Sequence, residues 1–282
     1  MVFIEVSKWG LILDEQVNFV LEVMKECYKR LEPHDVSLVD LLLFDTSSKL
    51  EAFIINEYQR LKINSQRFDE HFLAMHDAWF GIPRIIVCFE RLNKFEKILQ
   101  KAIIQHEVGH SILHGSPLYY IFTLPQILIQ ICERYNLSKE YMTNLLYLIS
   151  IAVKDYQVTK LLMNRGFKED QRAYIKTLLT PSNEDLTSWI IAKGKPQIQI
   201  LCLISRLKDL SCAAPFIMDE VYHNEIKEEI KLSLAYLPKE YANKLFEIIS
   251  KYHQLIGDDT FKAIENVTYT LSKELIEPIL NS

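Results

Sequence analysis

The chain has few glycines, no paired cysteines and no basic run, and each shortage excludes a class of protein. Seven glycines in 282 residues, with no repeat and no Ser/Gly/Pro-rich linker, predict a compact, mainly helical protein without a repeat architecture. The five cysteines are scattered and odd in number, so no disulfide framework is expected. A net charge of −5 without a Lys/Arg run predicts that nucleic acid is not a ligand.

A secretory signal and a membrane span are also missing from the pattern. The first residues do not combine a basic start, an apolar stretch and a cleavage site. The apolar residues 117–132 are interrupted by Pro125, and residues 198–218 by Arg206 and Asp209, so both stretches are predicted to be buried helices of a soluble protein. Together with unpaired cysteines, these features predict a reducing, cytoplasmic location.

Hydrophobic patterns predict an α+β fold that is mainly helical, with a small mixed sheet packed on one helix and a C-terminal helical region. Helical periods cover residues 15–31 and 94–114. Runs of branched apolar residues predict buried strands at 36–44 and 84–89. Residues 52–58 fit either a strand or the start of a helix.

The strongest chemical signal is HEVGH at residues 106–110. His106 and His110 are one turn apart on one face of the predicted helix, so both imidazoles can grip one zinc ion. Glu107 points about a quarter-turn away, where its carboxylate can act as general base towards a metal-activated water. Both histidines fall in the apolar arc of the helix, away from the polar side that is predicted to hold Gln105, and one metal would satisfy both buried rings.

A catalytic zinc needs a third protein ligand and an open position, and Asp155 is the predicted ligand. It lies in the middle of an apolar helical stripe, where an ionised carboxylate needs a cation. A buried salt bridge to Lys or Arg is the alternative role for this carboxylate. Glu133, Glu140 and His114 are lesser candidates for the same ligand position.

Three further polar residues lie close to these elements. His114 is one turn beyond His110 and has three open roles: it can orient a ligand, donate to a substrate oxygen or cap the helix end. His76 and Asp77 precede the strand at 84–89, and a structural turn is the favoured interpretation of this pair.

At HEVGH, on a helix that follows a strand, the chain resembles the zincin metallopeptidases over residues 36–163. The metzincin variant is excluded because Leu113 and Ser116 occupy the positions that HExxHxxGxxH reserves for Gly and His. The gluzincin branch fits better, because residues 155–159 resemble its ExxA[DN] motif, with Asp155 in place of the glutamate ligand.

The resemblance implies a zinc-dependent metallopeptidase that hydrolyses peptide bonds by metal-activated water. Glu107 would be its general base, and His106, His110 and Asp155 would hold one zinc ion. The strand at 84–89 would be the sheet edge along which an extended peptide substrate lies. Candidates for holding a developing oxyanion are Tyr119, Tyr120 and Tyr156. The predicted domains are a zincin-like domain at 1–165 and a helical region at 166–282.

Two other classes of protein stay open. A zinc-binding regulatory or structural protein with a zincin fold and little turnover would close the site with a fourth ligand, such as His114 or Cys88. A metal-free helical interaction protein would make HEVGH a coincidence. Metal content of the purified protein separates the metal-free class from the other two.

Overall fold

The computed structural model describes residues 2–61 and 73–282 of the chain. The chain forms two compact units, one made of residues 1–121 and 162–174 and the other of residues 122–161 and 175–282. The division into domains 1–165 and 166–282 stays a prediction.

The first unit holds the four described strands and the first four helices. Their bounds are β1 (Phe3–Trp9), α1 (Asp14–Arg30), β2 (Leu38–Phe44), α2 (Ser47–Leu61), β3 (Ala74–Asp77), β4 (Arg84–Cys88), α3 (Phe89–Leu92) and α4 (Lys97–Leu113), followed by a 3-10 turn (Pro117–Tyr120). The predicted helices at 15–31 and 94–114 and the strand at 36–44 are confirmed as α1, α4 and β2.

The remaining elements are helical. They are α5 (Gln126–Tyr135), α6 (Lys139–Asn164), α7 (Lys168–Leu179), α8 (Asn183–Ala192), α9 (Pro196–Ser211), a 3-10 turn (Ala214–Met218), α10 (His223–Ser233), α11 (Lys239–Ser250), α12 (Tyr252–Leu255), α13 (Thr260–Leu271), a π-helical turn (Ser272–Ile276) and α14 (Glu277–Leu280). The predicted class, a mainly helical α+β fold with a small mixed sheet, is confirmed. None of the described helices combines the length and the apolar character that crossing a membrane requires.

The sheet has the strand order β1-β2-β4-β3. β2 is parallel to both β1 and β4, and β3 runs antiparallel to β4. The expectation that residues 84–89 form the sheet edge is therefore wrong, because β4 bonds to a strand on each side. Within the described residues the outer strand on this side is β3, which the sequence pattern presented as a turn.

Helices pack on the sheet, and the alternation of side chains along each strand decides what each one meets. On one face, Leu42 and Phe44 of β2 pack with Ile86 and Cys88 of β4 against α2, and Met75 of β3 joins this cluster. The neighbours of Met75 on β3 therefore point to the other face. α4 packs against β3 and β4.

A buried arginine ties β3 to the rest of the first unit. The guanidinium of Arg84 on β4 donates twice to Asp77, its register partner on β3, at 2.8 Å. It donates twice more to Glu57 of α2, at 2.7 and 2.9 Å. Because Arg84 and Asp77 are both buried, this three-residue network links the outer strand, its neighbour and a helix.

The second unit is built from helices whose buried polar groups meet backbone carbonyls. Arg206 of α9 is buried and donates to the carbonyls of Leu178 and Leu179 at the end of α7. Gln157 of α6 donates to the Gly257 carbonyl at 2.7 Å. These contacts satisfy carbonyl groups at or beyond helix ends, where intrahelical partners run out.

Candidate metal centre

Helix α4 is held on two sides by elements distant from it in sequence. The hydroxyl of Ser111 donates to the Val108 carbonyl and accepts from the hydroxyl of Tyr28 on α1 at 2.7 Å. On another side, the Gln105 side chain donates to Asp170 at 2.7 Å. Gln105 is therefore buried, and the prediction that it lies on the polar side of the helix is wrong.

The end of α4 is set by a glycine. The backbone N–H of His114 donates to the His110 carbonyl at 2.7 Å as the helix finishes. A Cβ atom on Gly115 would overlap the Ser111 carbonyl oxygen and come within 2.8 Å of the Pro83 side chain. Glycine at this position therefore allows the chain to leave the helix against its last turn.

The two histidines of HEVGH bring one nitrogen each to a common point. Nε2 of His106 and Nε2 of His110 are 3.1 Å apart, and the ring planes are inclined at 77°. Two nitrogens bound to one tetrahedral zinc at about 2.0–2.1 Å are separated by about 3.3 Å. The spacing and the donor chemistry of this pair therefore fit a zinc ion. His106 is buried and His110 is half-buried.

Glu107 is also buried, with 7% of its surface exposed. Its position next to His106 turns its side chain by about 100° around the helix axis, so it does not share the histidines' face. A carboxylate in this position, beside a histidine pair that binds a metal ion, can accept a proton from water without being a ligand of the metal.

Two more histidines, His114 and His76, lie beside this pair, and the four rings together are called the histidine cluster. Nδ1 of His114 lies 3.2 Å from Nδ1 of His110. His76 of β3 stacks on the His110 ring, with centroids 6.0 Å apart and planes 9° apart. The predicted structural turn at His76 is wrong, because this residue lies on strand β3. Its side chain is on the face of the sheet against which α4 packs, and it therefore reaches His110.

Aromatic side chains surround the four histidines. The ring of Tyr174 packs on His106 at 5.1 Å, and Tyr119 meets His114 edge-on at 5.3 Å. The hydroxyl of Tyr120 is 3.0 Å from Nδ1 of His76. Of the tyrosines predicted to assist catalysis, Tyr119 and Tyr120 thus contact cluster histidines, whereas Tyr156 belongs to the second unit.

Metal-ligating side chains are present in both units. His106 in the first unit could hold a metal ion, and so could Asp155 and Cys212 in the second. Burial raises the pKa of the Cys212 thiol well above its usual range, and the charge of Asp155 raises it further. No spacing signal in the sequence singles out Cys212. The role of Asp155 as third ligand stays a prediction.

The other candidate ligands are placed less favourably. Glu133 and Glu140 are exposed on helices of the second unit. Cys88 points into the apolar cluster against α2, on the sheet face opposite His76. The fold of the first unit therefore does not favour Cys88 as a fourth ligand.

Comparisons with known proteins give no relative for this chain. No family model, no curated protein and no solved structure matches it.

Proposed function

We propose that the protein is a zinc-dependent metallopeptidase. The observation that carries this proposal is the 3.1 Å approach of the Nε2 atoms of His106 and His110, with the Glu107 carboxylate in the same helical turn. The two Nε2 atoms are within hydrogen-bonding distance of each other, and a zinc ion bound at this point would take the lone pairs of both, because zinc suits neutral imidazole nitrogen.

When bound, zinc polarises an amide carbonyl and makes water a stronger acid. The protein itself supplies the group that accepts and donates protons. Glu107 accepts the proton of the attacking water on its carboxylate and then delivers it to the amine that leaves.

The outer strand supports a peptide as the substrate. Within the described part of the chain β3 has a strand partner on one side, β4, and an extended peptide would add along its other edge. A peptide that adds to β3 would pass His76, whose ring stacks on His110. An extended backbone is thereby brought to the histidine pair without any requirement on its side chains.

A zinc-binding regulatory or structural protein is the second candidate, and the burial of the pair favours it. His106 is only 3% exposed, which is low for a residue at a site that must admit substrate. In such a protein the zinc would join elements of the fold, and Glu107 would have no proton to move.

The first experiment measures zinc by elemental analysis in protein purified without chelator. We expect near-stoichiometric zinc in the wild type and in His253→Ala, an exposed control. His110→Ala and Asp155→Ala should both lose it. Zinc retained by Asp155→Ala would move the third ligand elsewhere, and a wild type that takes up no zinc would refute the proposal.

The second experiment separates the enzyme from the regulatory protein. Zinc-loaded wild type and Glu107→Gln are incubated with a mixed peptide library, and new termini are identified by mass spectrometry. We expect cleavage by the wild type and a loss of about 10²–10⁴-fold in the variant, which should keep its zinc. Equal product from both proteins would exclude Glu107 as the base, and no product from either would favour the regulatory protein.

A further inference from the structure

His110 contacts an imidazole on each side of its ring. Its Nε2 faces Nε2 of His106 at 3.1 Å, and its Nδ1 faces Nδ1 of His114 at 3.2 Å. His114 is buried, with 1% of its surface exposed; its backbone N–H donates to the His110 carbonyl, and the Tyr119 ring packs edge-on against it.

A metal bound at Nε2 of His110 would fix which nitrogens of these rings carry protons. A neutral imidazole has one N–H and one lone pair. If Nε2 of His110 offers its lone pair to a metal, the proton of His110 is on Nδ1. The atom that faces this N–H is Nδ1 of His114, which can accept it only when the proton of His114 is on Nε2.

We propose that His114 is a positioning residue that accepts the Nδ1 proton of His110 and thereby turns Nε2 of His110 towards the metal. This inference rests on the proposed zinc site. Ligating histidines usually donate their other N–H to a carboxylate, a carbonyl or water, and here a neutral imidazole one turn along the same helix takes that place.

The same geometry argues against His114 as a ligand. The nitrogen of His114 nearest to His110 meets Nδ1, whereas the metal position lies at Nε2, on the other side of the His110 ring. His114 therefore does not reach the point that His106 and His110 share, and its role is to fix the tautomer and the ring orientation of its neighbour.

Zinc affinity in substituted proteins tests the inference. The dissociation constant for zinc is measured by competition with a chromogenic chelator in wild type, His114→Asn, His114→Leu and the exposed control His253→Leu. The amide oxygen of asparagine can replace Nδ1 as acceptor, whereas leucine cannot. We expect His114→Leu to bind zinc roughly 10–100-fold more weakly, with most of the affinity kept by His114→Asn.

Nitrogen-15 NMR of the histidine rings in the zinc-loaded wild type gives a test that needs no substitution. We expect His110 to be protonated on Nδ1 and metal-bound through Nε2, and His114 to be protonated on Nε2. Coordination through Nδ1 of His110, or a proton on Nδ1 of His114, would overturn the inference. Because this test uses the wild type, it remains decisive if the leucine variant fails to fold.

Failure of this inference can be told apart from failure of the proposed site. Equal zinc affinity in wild type and His114→Leu, or equal losses in the leucine and asparagine variants, would overturn the positioning role and leave the zinc site standing. A wild type that binds no zinc would overturn both.

Discussion

The two units use the same polar residue types in different ways. In the first unit, Arg84 and the cluster histidines contact side chains, among them side chains of other elements. In the second, Arg206 donates to two backbone carbonyls and makes one longer ion pair with Asp209 on its own helix, and the two histidines contact carbonyls three or four residues away. Local carbonyl contacts complete helix ends, whereas grouped side chains create a chemical environment that a ligand can use. The grouped histidines that a ligand can use therefore lie in the first unit.

The largest effect we expect concerns the two buried arginines. Arg84→Met would leave the buried carboxylate of Asp77 and the half-buried one of Glu57 without their cation, so the free energy of unfolding should fall by about 3–5 kcal/mol. Arg206→Met loses hydrogen bonds to two carbonyls and a longer ion pair with Asp209, which keeps Lys208 as a partner, and should lower it by about 1–3 kcal/mol. Urea denaturation measures both. Equal losses would mean that the carboxylate network adds nothing beyond ordinary hydrogen bonding.

The next effect compares histidines. Zinc at about 100 times its dissociation constant should raise the free energy of unfolding by about 2.7 kcal/mol, because it binds only the folded chain. The same increase is expected for His223→Ala, whose ring binds a local carbonyl. His106→Ala should show none. Denaturation with and without zinc gives the three values, and a zinc effect that survives in His106→Ala would place the metal outside the cluster.

A pair of glycines offers a smaller contrast. A methyl group on Gly115 would overlap the Ser111 carbonyl and press on Pro83, so Gly115→Ala should destabilise the protein by about 1–3 kcal/mol. Gly257, in the second unit, has open space around its Cβ position, and Gly257→Ala should be neutral or stabilise by up to about 1 kcal/mol. Thermal unfolding compares the two. A tolerated alanine at residue 115 would show that the end of α4 can relax.

The sequence predicts the elements whose signals are local. The helix that carries HEVGH follows from its period and from Gly115 at its end, and strand β2 follows from a dense apolar run. Residues 52–58 fitted either a strand or a helix, and they form part of α2. Strand β1 was not predicted, since its side chains are only partly buried and leave no apolar run.

Strand pairing and contacts between distant segments could not be predicted from the sequence. The position of β4 inside the sheet depends on pairing with β3, and no local pattern encodes this register. His76 looked like part of a turn because Gly81 and Pro83 follow it, and only the pairing brings its ring to His110. The histidine pair of the candidate site was predictable from spacing on one helix, whereas the surrounding His76 and Tyr174 come from other elements.

The smallest effect we expect is a pH dependence that starts at Asp77. Burial raises the pKa of this carboxyl; the nearby charge of Glu57 adds to the rise, and Arg84 opposes it. A carboxyl whose pKa is higher in the folded than in the unfolded protein binds more protons when folded. Its contribution to stability is therefore complete below about pH 4 and is lost as the pH rises through the folded-state value.

Asp77→Asn removes this titration, so the stability difference between wild type and variant should shift against the wild type between about pH 4 and pH 7. Urea denaturation across this range measures the difference, with Asp258→Asn, an exposed change in the second unit, as the control. A difference that shifts in favour of the wild type as the pH rises would mean that the ion pair with Arg84 outweighs burial. In that case the network stabilises the charged form of Asp77, and the outer strand would be held more firmly at neutral pH than in acid.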